Sequence, residues 1–203
     1  VLAIDKRGRV IDGDFMIAIC AEDMKSRKAL KDNTAVVTVM TNLGFHLAMK
    51  EKGIHVYQTP VGDRQVLAAL EENDWSLGGE QSGHIIFSDL STTGDGLLTG
   101  IQLLDIIARS NKRLDELADF AMVRYPQVLK QVNLSKTTID IESSLAKDIA
   151  NAEIELGDSG RVLVRRSGTE PVLRIMVESL TDEIAESTAN KLVLAAESYL
   201  TAS

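Results

Sequence analysis

Arg161-Val162-Leu163-Val164-Arg165-Arg166-Ser167-Gly168-Thr169-Glu170-Pro171-Val172-Leu173-Arg174-Ile175-Met176-Val177 consists of two short apolar runs around a polar connection. Both runs are rich in β-branched residues, and runs of this length and composition read as strands. The connection, Arg165 to Pro171, carries two guanidiniums, two hydroxyls and a glycine. Glycine lets backbone amides approach a ligand closely, while arginine and hydroxyl groups supply donors that match phosphate oxygens. The stretch reads as an anion-binding loop between two strands. On these residues alone an ordinary polar hairpin with a solvated charge pair is an equal alternative.

Outward from this hairpin, a strand is expected over Val128 to Leu134 and a helix over about Ser143 to Ala152. A final helix runs from Thr181 or Asp182 to about Tyr199, with Ile184, Thr188, Leu192, Ala195 and Tyr199 on one face. The order β, α, β, β, α predicts a small α+β domain with helices packed on an antiparallel sheet. Tyr125-Pro126 marks the boundary before it, so this domain is expected over 125–203.

The preceding segment alternates differently. Val1 to Ile4 and Arg9 to Ile11 flank the turn-rich Asp5-Lys6-Arg7-Gly8, which predicts a hairpin. Asp12-Gly13-Asp14 leads into an apolar helix from Phe15 to Met24, with Asp14 as the expected N-cap. A pair of carboxylates before a helix is read as a turn and a cap in preference to a metal site. Ala35 to Met40 and Ile54 to Tyr57 read as strands, with helices after Asn42 and from Val66 to Asn73. This alternation predicts an α/β/α domain with a mixed, largely parallel sheet over 13–124. Ligands bind such sheets at loops beyond the strand ends, and Gly62-Asp63-Arg64 is one of them.

A second loop is Leu77-Gly78-Gly79-Glu80-Gln81-Ser82-Gly83-His84, before Ile85-Ile86-Phe87. Glu80, Ser82 and His84 alternate, so on extended backbone their side chains share one face. A carboxylate, a hydroxyl and an imidazole together suit sugar hydroxyls, or proton transfer near neutral pH. A glycine-rich bulge with a structural histidine is the competing reading. Thr92-Thr93-Gly94-Asp95-Gly96 opens a periodic helix carrying Leu97, Leu98, Ile101, Leu104, Ile107 and Ala108, with Asp95 as its cap and no metal role. A short helix is expected from Leu114 to Phe120.

Composition narrows the classes. A formal net charge of -8 argues against broad nucleic-acid binding, yet Arg64, Arg165 and Arg166 can converge locally on an anion. One cysteine, Cys20, allows no internal disulfide and fits a reducing, cytoplasmic compartment. Its apolar neighbours make it a core thiol. No apolar run reaches membrane-spanning length, and the start does not read as a signal peptide.

Three loops now stand in order: Gly62-Asp63-Arg64, Gly79-Glu80-Gln81-Ser82-Gly83-His84, and Arg165 to Pro171. Together they resemble the α-D-phosphohexomutase family, over essentially the whole chain. The resemblance implies that Glu80, Ser82 and His84 contact the sugar. It gives Arg165, Ser167, Gly168 and Thr169 to the phosphate. Gly62, Asp63 and Arg64 match the loop that distinguishes which end of the sugar phosphate is presented. His84 is either a sugar contact or a proton-transfer group. Gln81, where the mannose and glucose branch usually carries methionine, is similar to the family's aminosugar branch.

The resemblance further implies that Val1-Leu2-Ala3-Ile4-Asp5 follows a metal loop, Asp-Gly-Asp-x-Asp-Arg, and a domain bearing a phosphorylated serine. Asp12-Gly13-Asp14 does not stand at that loop's place. By this reading residues 1–12 end the family's second domain, 13–124 are its third and 125–203 its fourth. Mg²⁺ is then held upstream, no metal ligand lies in this chain, and glucosamine 1,6-bisphosphate is the intermediate. The partners implied are a hexosamine phosphate and the N-terminal half of the same protein. A homodimer is compatible with the resemblance; nucleic acid and membrane are not implied. The chain by itself is expected to bind without turning over. A mutase for mannose or glucose phosphates, and a non-catalytic phosphosugar-binding module, are the alternatives.

Overall fold

The computed structural model describes residues 1–134, 140–168 and 170–201. They fall into two compact units, Val1–Arg124 and Tyr125–Ser203.

The first unit opens with strands β1 (Ala3–Ile4) and β2 (Val10–Ile11), paired antiparallel as the turn residues predict. Asp5 fixes that turn by accepting from the backbone nitrogens of Arg7 and Arg9, at 2.8 and 3.0 Å. The hairpin is anchored to its own unit, because Arg9 also pairs with Asp119 at 2.6 Å. Helix α1 (Gly13–Ser26) buries every residue from Gly13 to Ala21, and Met24 as well. A helix apolar nearly all round belongs inside a fold.

Its N-cap is Asp12, not Asp14. The Asp12 carboxylate accepts from the Phe15 nitrogen, whereas Asp14 is wholly buried and turns inward to accept from the Asn42 nitrogen at 3.1 Å. Two carboxylates two residues apart leave that choice to packing, which sequence spacing does not carry.

Strand β3 (Thr34–Thr38) is buried at all five positions, as a strand covered on both faces must be. Helix α2 (Leu43–Glu51), capped by Asn42 as expected, leads to β4 (His55–Thr59), and α3 (Asp63–Asn73) leads to β5 (Leu77–Gly79). With β6 (Ile85–Phe87) the sheet order is β4-β3-β5-β6, parallel throughout except for β6. Alternation along β3 sends Val36 into a cluster with Val66, Leu70 and Ile86. Ala35 and Val37 enter the larger cluster around α1, Phe45 and Met49. The sheet is therefore covered on both faces, and its parallel strands deliver the loops after β3, β4 and β5 to one end.

Helix α4 (Gly96–Ser110) has the expected period, but only part of its apolar stripe faces inward. Thr99, Leu103 and Ile106 are buried while Leu97, Ile101 and Leu104 stay exposed. Helix α5 (Leu114–Ala121) closes the unit against α1.

In the second unit β7 (Gln127–Asn133), β8 (Arg161–Arg166) and β9 (Val172–Glu178) form an antiparallel sheet with β9 in the middle. The single helix expected before β8 is two, α6 (Ile141–Ser144) and α7 (Ala146–Leu156). Leu173, Ile175 and Val177 meet the inner face of α8 (Asp182–Thr201), made of Ala185, Thr188, Ala189, Leu192 and Ala196. That face is rotated from the expected one. Three alanines replace larger neighbours at the contact and let the helix lie close to the sheet. Among the described residues no helix is long and apolar enough to cross a membrane.

Candidate functional site

The first cluster of candidate residues sits at the sheet end that receives β4 and β5. Glu80 to His84 do not run extended, so the shared face expected of Glu80, Ser82 and His84 does not form. The segment is a tight turn between β5 and β6. The Glu80 nitrogen donates to the His84 carbonyl at 3.0 Å, and the Gly83 nitrogen donates to the Glu80 carbonyl at 2.9 Å. Gly83 takes φ +88°, a left-handed conformation that L side chains rarely adopt, and a Cβ there would lie 1.9 Å from the Val1 carbonyl oxygen. The turn rests on the start of α1, where the Gly13 nitrogen donates to the Gln81 carbonyl at 3.0 Å.

Within this turn the three side chains divide their tasks. The Glu80 carboxylate accepts from the Gly62 nitrogen at 3.0 Å, which ties the loop after β5 to the loop after β4. Gly62 precedes α3, and Asp63 accepts from the Arg64 nitrogen at 2.8 Å. Asp63 and Arg64 are exposed, as are Ser82 and His84. Ser82 Oγ and His84 Nδ1 are 3.0 Å apart, a hydroxyl–imidazole pair presented to solvent. The structure thus brings together Gly62, Asp63, Arg64, Glu80, Ser82 and His84. They offer two carboxylates, a hydroxyl, an imidazole and a guanidinium, a set suited to ring hydroxyls and to one proton transfer.

Asp95 caps α4, accepting from the Leu97 and Leu98 nitrogens at 2.8 and 3.0 Å, as the sequence implied. No group of three or more His, Cys, Asp or Glu suited to a metal ion occurs among the described residues. Asp12 and Asp14 do not fit that role either. Asp12 is paired with Arg124, and Asp14 is committed to the Asn42 nitrogen. Burial pushes the Asp14 carboxyl up to about 7, helped by the neighbouring Asp12 charge and opposed by the Asn42 bond and Arg124.

The second cluster sits on the β8–β9 hairpin. Arg165 and Arg166 are the last residues of β8, not part of the loop proper. The loop is closed by the Ser167 nitrogen donating to the Val172 carbonyl at 2.9 Å and the Val172 nitrogen donating to the Glu170 carbonyl at 2.8 Å. The two arginines differ in use. The Arg166 nitrogen donates to Glu142 at 2.8 Å and its Nε lies 3.7 Å from the same carboxylate, so Arg166 fastens α6 to the hairpin. Arg165, half-buried, has no ion-pair partner among the described residues. Ser167 Oγ is buried without a hydrogen-bond partner among the described residues, and Gly168 is exposed with open space where a side chain would stand. Thr169 lies outside the described residues.

One member escaped the sequence reading. Register places Arg174 directly opposite Arg165, and an antiparallel pair points both side chains to one face. Two cations side by side on a sheet face, one of them unpaired, together with an unsatisfied hydroxyl, make an arrangement that an anion completes. Counting the hairpin register outward from the Ser167–Val172 closure would have found Arg174.

Two family models match this chain. The model of the phosphoglucomutase/phosphomannomutase alpha/beta/alpha domain III covers residues 12–125, and that of the C-terminal domain covers 111–195. The chain belongs to the phosphoglucomutase/phosphomannomutase family. Curated relatives named phosphoglucosamine mutase include one from Frankia alni, 52% identical over 99% of this chain and 44% of its own length. Another, from Oceanobacillus iheyensis, is 47% identical over 98% of this chain and 45% of its own length. The chain therefore spans about half the length of the curated family members it matches. Among solved structures it shares its fold with an Aspergillus fumigatus N-acetylphosphoglucosamine mutase determined with GlcNAc-6P and magnesium. That likeness has a TM-score of 0.76 at 19% identity and covers 96% of this chain and 45% of the other.

Proposed function

We propose that this chain is the sugar-binding and phosphate-binding portion of a phosphoglucosamine mutase. The whole protein would interconvert glucosamine 6-phosphate and glucosamine 1-phosphate through a phosphoserine and glucosamine 1,6-bisphosphate, supplying an aminosugar precursor of the cell wall. The observation that carries this reading is the near 50% identity to enzymes of that name over almost all of the chain. The two candidate clusters support it by carrying groups suited to sugar hydroxyls and to phosphate.

In this reading residues 13–124 bind the sugar and 125–203 the phosphate, and residues 1–12 continue a preceding domain. Glu80, already oriented by the Gly62 nitrogen, accepts from a ring hydroxyl with its free oxygen lone pairs. Ser82 and His84 hold a second hydroxyl, and the 3.0 Å contact between them lets His84 pass or take a proton there. Asp63 and Arg64 read which end of the sugar phosphate faces them. Arg165 clamps the phosphate that is not being transferred, because its planar fork stays charged and matches phosphate oxygens. Ser167 and Gly168 add neutral donors, and Thr169 is assigned to the phosphate by the family resemblance alone. Mg²⁺, held by residues outside this chain, would neutralise charge on the phosphoryl group in transfer.

The chain alone is expected to bind glucosamine 6-phosphate without isomerising it. The test is a mutase assay on the parent protein with glucosamine 6-phosphate against mannose and glucose phosphates, alongside binding to the 203-residue chain. Turnover of the neutral sugars in preference to the aminosugar would move the assignment to a sibling mutase. Turnover by the chain alone would remove the division of labour proposed for it.

A further inference from the structure

We propose that Glu170 is a built-in competitor at the anion site: its carboxylate holds the Arg174 guanidinium while no phosphate is bound and gives it up when one arrives. This rests on reading the β8–β9 hairpin as the phosphate-binding element, and deepens that reading.

Arg165 and Arg174 face each other across β8 and β9, and like charges directly opposite on a sheet repel. On its other side Arg174 is opposite Gln131, which brings no charge. The carboxylate that meets this pair is Glu170, whose Oε2 accepts from Arg174 Nη2 at 2.9 Å. That single contact leaves the site incomplete. Arg174 Nε and Ser167 Oγ are both buried and without hydrogen-bond partners, and Arg165 keeps its charge unpaired among the described residues. A buried donor left unmade costs free energy, so both groups on this hairpin favour a further acceptor.

A phosphate monoester dianion answers all of these demands together. Its three terminal oxygens can engage Arg165, Arg174 and Ser167 at once, where one carboxylate oxygen engages a single nitrogen. Glu170 can leave cheaply. Its side chain is 57% exposed, so it re-enters water with little desolvation to undo. It stays close, since the turn between its carbonyl and the Val172 nitrogen holds its backbone in place. The exchange sets a threshold: a weakly held monoanion does not displace Glu170, whereas a phosphate dianion does. The same competition returns Arg174 to Glu170 as phosphate leaves.

The experiment is a calorimetric or NMR titration of the 203-residue chain with inorganic phosphate and with glucosamine 6-phosphate. Glu170→Gln is expected to bind both about two- to five-fold more tightly, the range that a partly exposed ion pair can account for. The gain is expected to vanish in an Arg174→Gln background, because the competition needs that guanidinium. Equal or weaker phosphate binding by Glu170→Gln overturns the proposal, as does a gain that persists without Arg174, which would report only the loss of a nearby negative charge. Failure of the underlying site reading looks different: Arg165→Gln would then leave phosphate affinity unchanged.

Discussion

In the unit Val1–Arg124 the candidate loop is satisfied from within. Glu80 to His84 fold into a turn with two backbone hydrogen bonds of their own, a third to Gly13, and a carboxylate docked on the Gly62 nitrogen. In the unit Tyr125–Ser203 the loop after Arg165 is closed by backbone bonds, but Ser167 Oγ and Arg174 Nε are buried and unmet among the described residues, where Arg165 and Arg174 stand opposite each other. Under the proposed assignment, the difference matches the ligand chemistry of each loop. Neutral hydroxyls are bound by exposed groups already in place, with little charge to balance. An anion is bound by cations kept short of partners, at some cost to the empty fold.

Substitutions in the two loops test this difference. The largest effect is expected for Arg165→Ala, which should weaken binding of glucosamine 6-phosphate by about 2–5 kcal/mol, read by calorimetry. An effect under a tenfold change in affinity would mean the second unit does not hold the phosphate through this residue.

Next is pH. Folding holds the Asp14 carboxyl at about 7 against an ordinary value of 3.8. Between those values the folded chain keeps a proton that the unfolded chain releases, so this group's contribution to stability falls as pH rises from about 4 to about 7. The loss is bounded at roughly 4 kcal/mol, from about three pKa units. Denaturant unfolding should show Asp14→Asn gaining on the parent across that window, with the difference constant above it. Because Asp14 lies in the first unit, the effect belongs to that unit and leaves phosphate binding unchanged.

Gly83→Ala should cost about 2–3 kcal/mol in thermal or denaturant unfolding, from positive φ and the encounter with the Val1 carbonyl. Gly168→Ala, with open space around it, should cost little stability and act on phosphate binding instead. Glu80→Gln is the mildest. It keeps an oxygen for the Gly62 nitrogen and should lose about 1 kcal/mol of sugar affinity, with phosphate affinity unaltered.

Much of this was legible in the sequence because the signals were local. The hairpin around Asp5-Lys6-Arg7-Gly8, the parallel alternation from Ala35 onward, and the caps Asn42 and Asp95 each depend on a few neighbouring residues. The rest depends on position in space. Asp12 caps α1 in place of Asp14 because Asp14 lies inside the fold, where it accepts from the Asn42 nitrogen. Alternation alone puts Glu80, Ser82 and His84 on one extended face, and it says nothing of a glycine at positive φ. The inner face of α8 shifted because alanines, not the larger residues beside them, allowed the closest approach to the sheet. Arg174 was hidden because its partner across the strand is fixed by register, not by spacing along the chain.

The most direct test of the contrast is a pair of NMR titrations on the 203-residue chain, one with inorganic phosphate and one with glucosamine. Phosphate is expected to shift amides around Arg165, Ser167, Gly168 and Arg174 and leave Gly62–Arg64 and Glu80–His84 in place, while glucosamine does the reverse. Phosphate shifts centred on Glu80–His84, with the β8–β9 hairpin unmoved, would contradict the assignment of the two ligand chemistries to the two units.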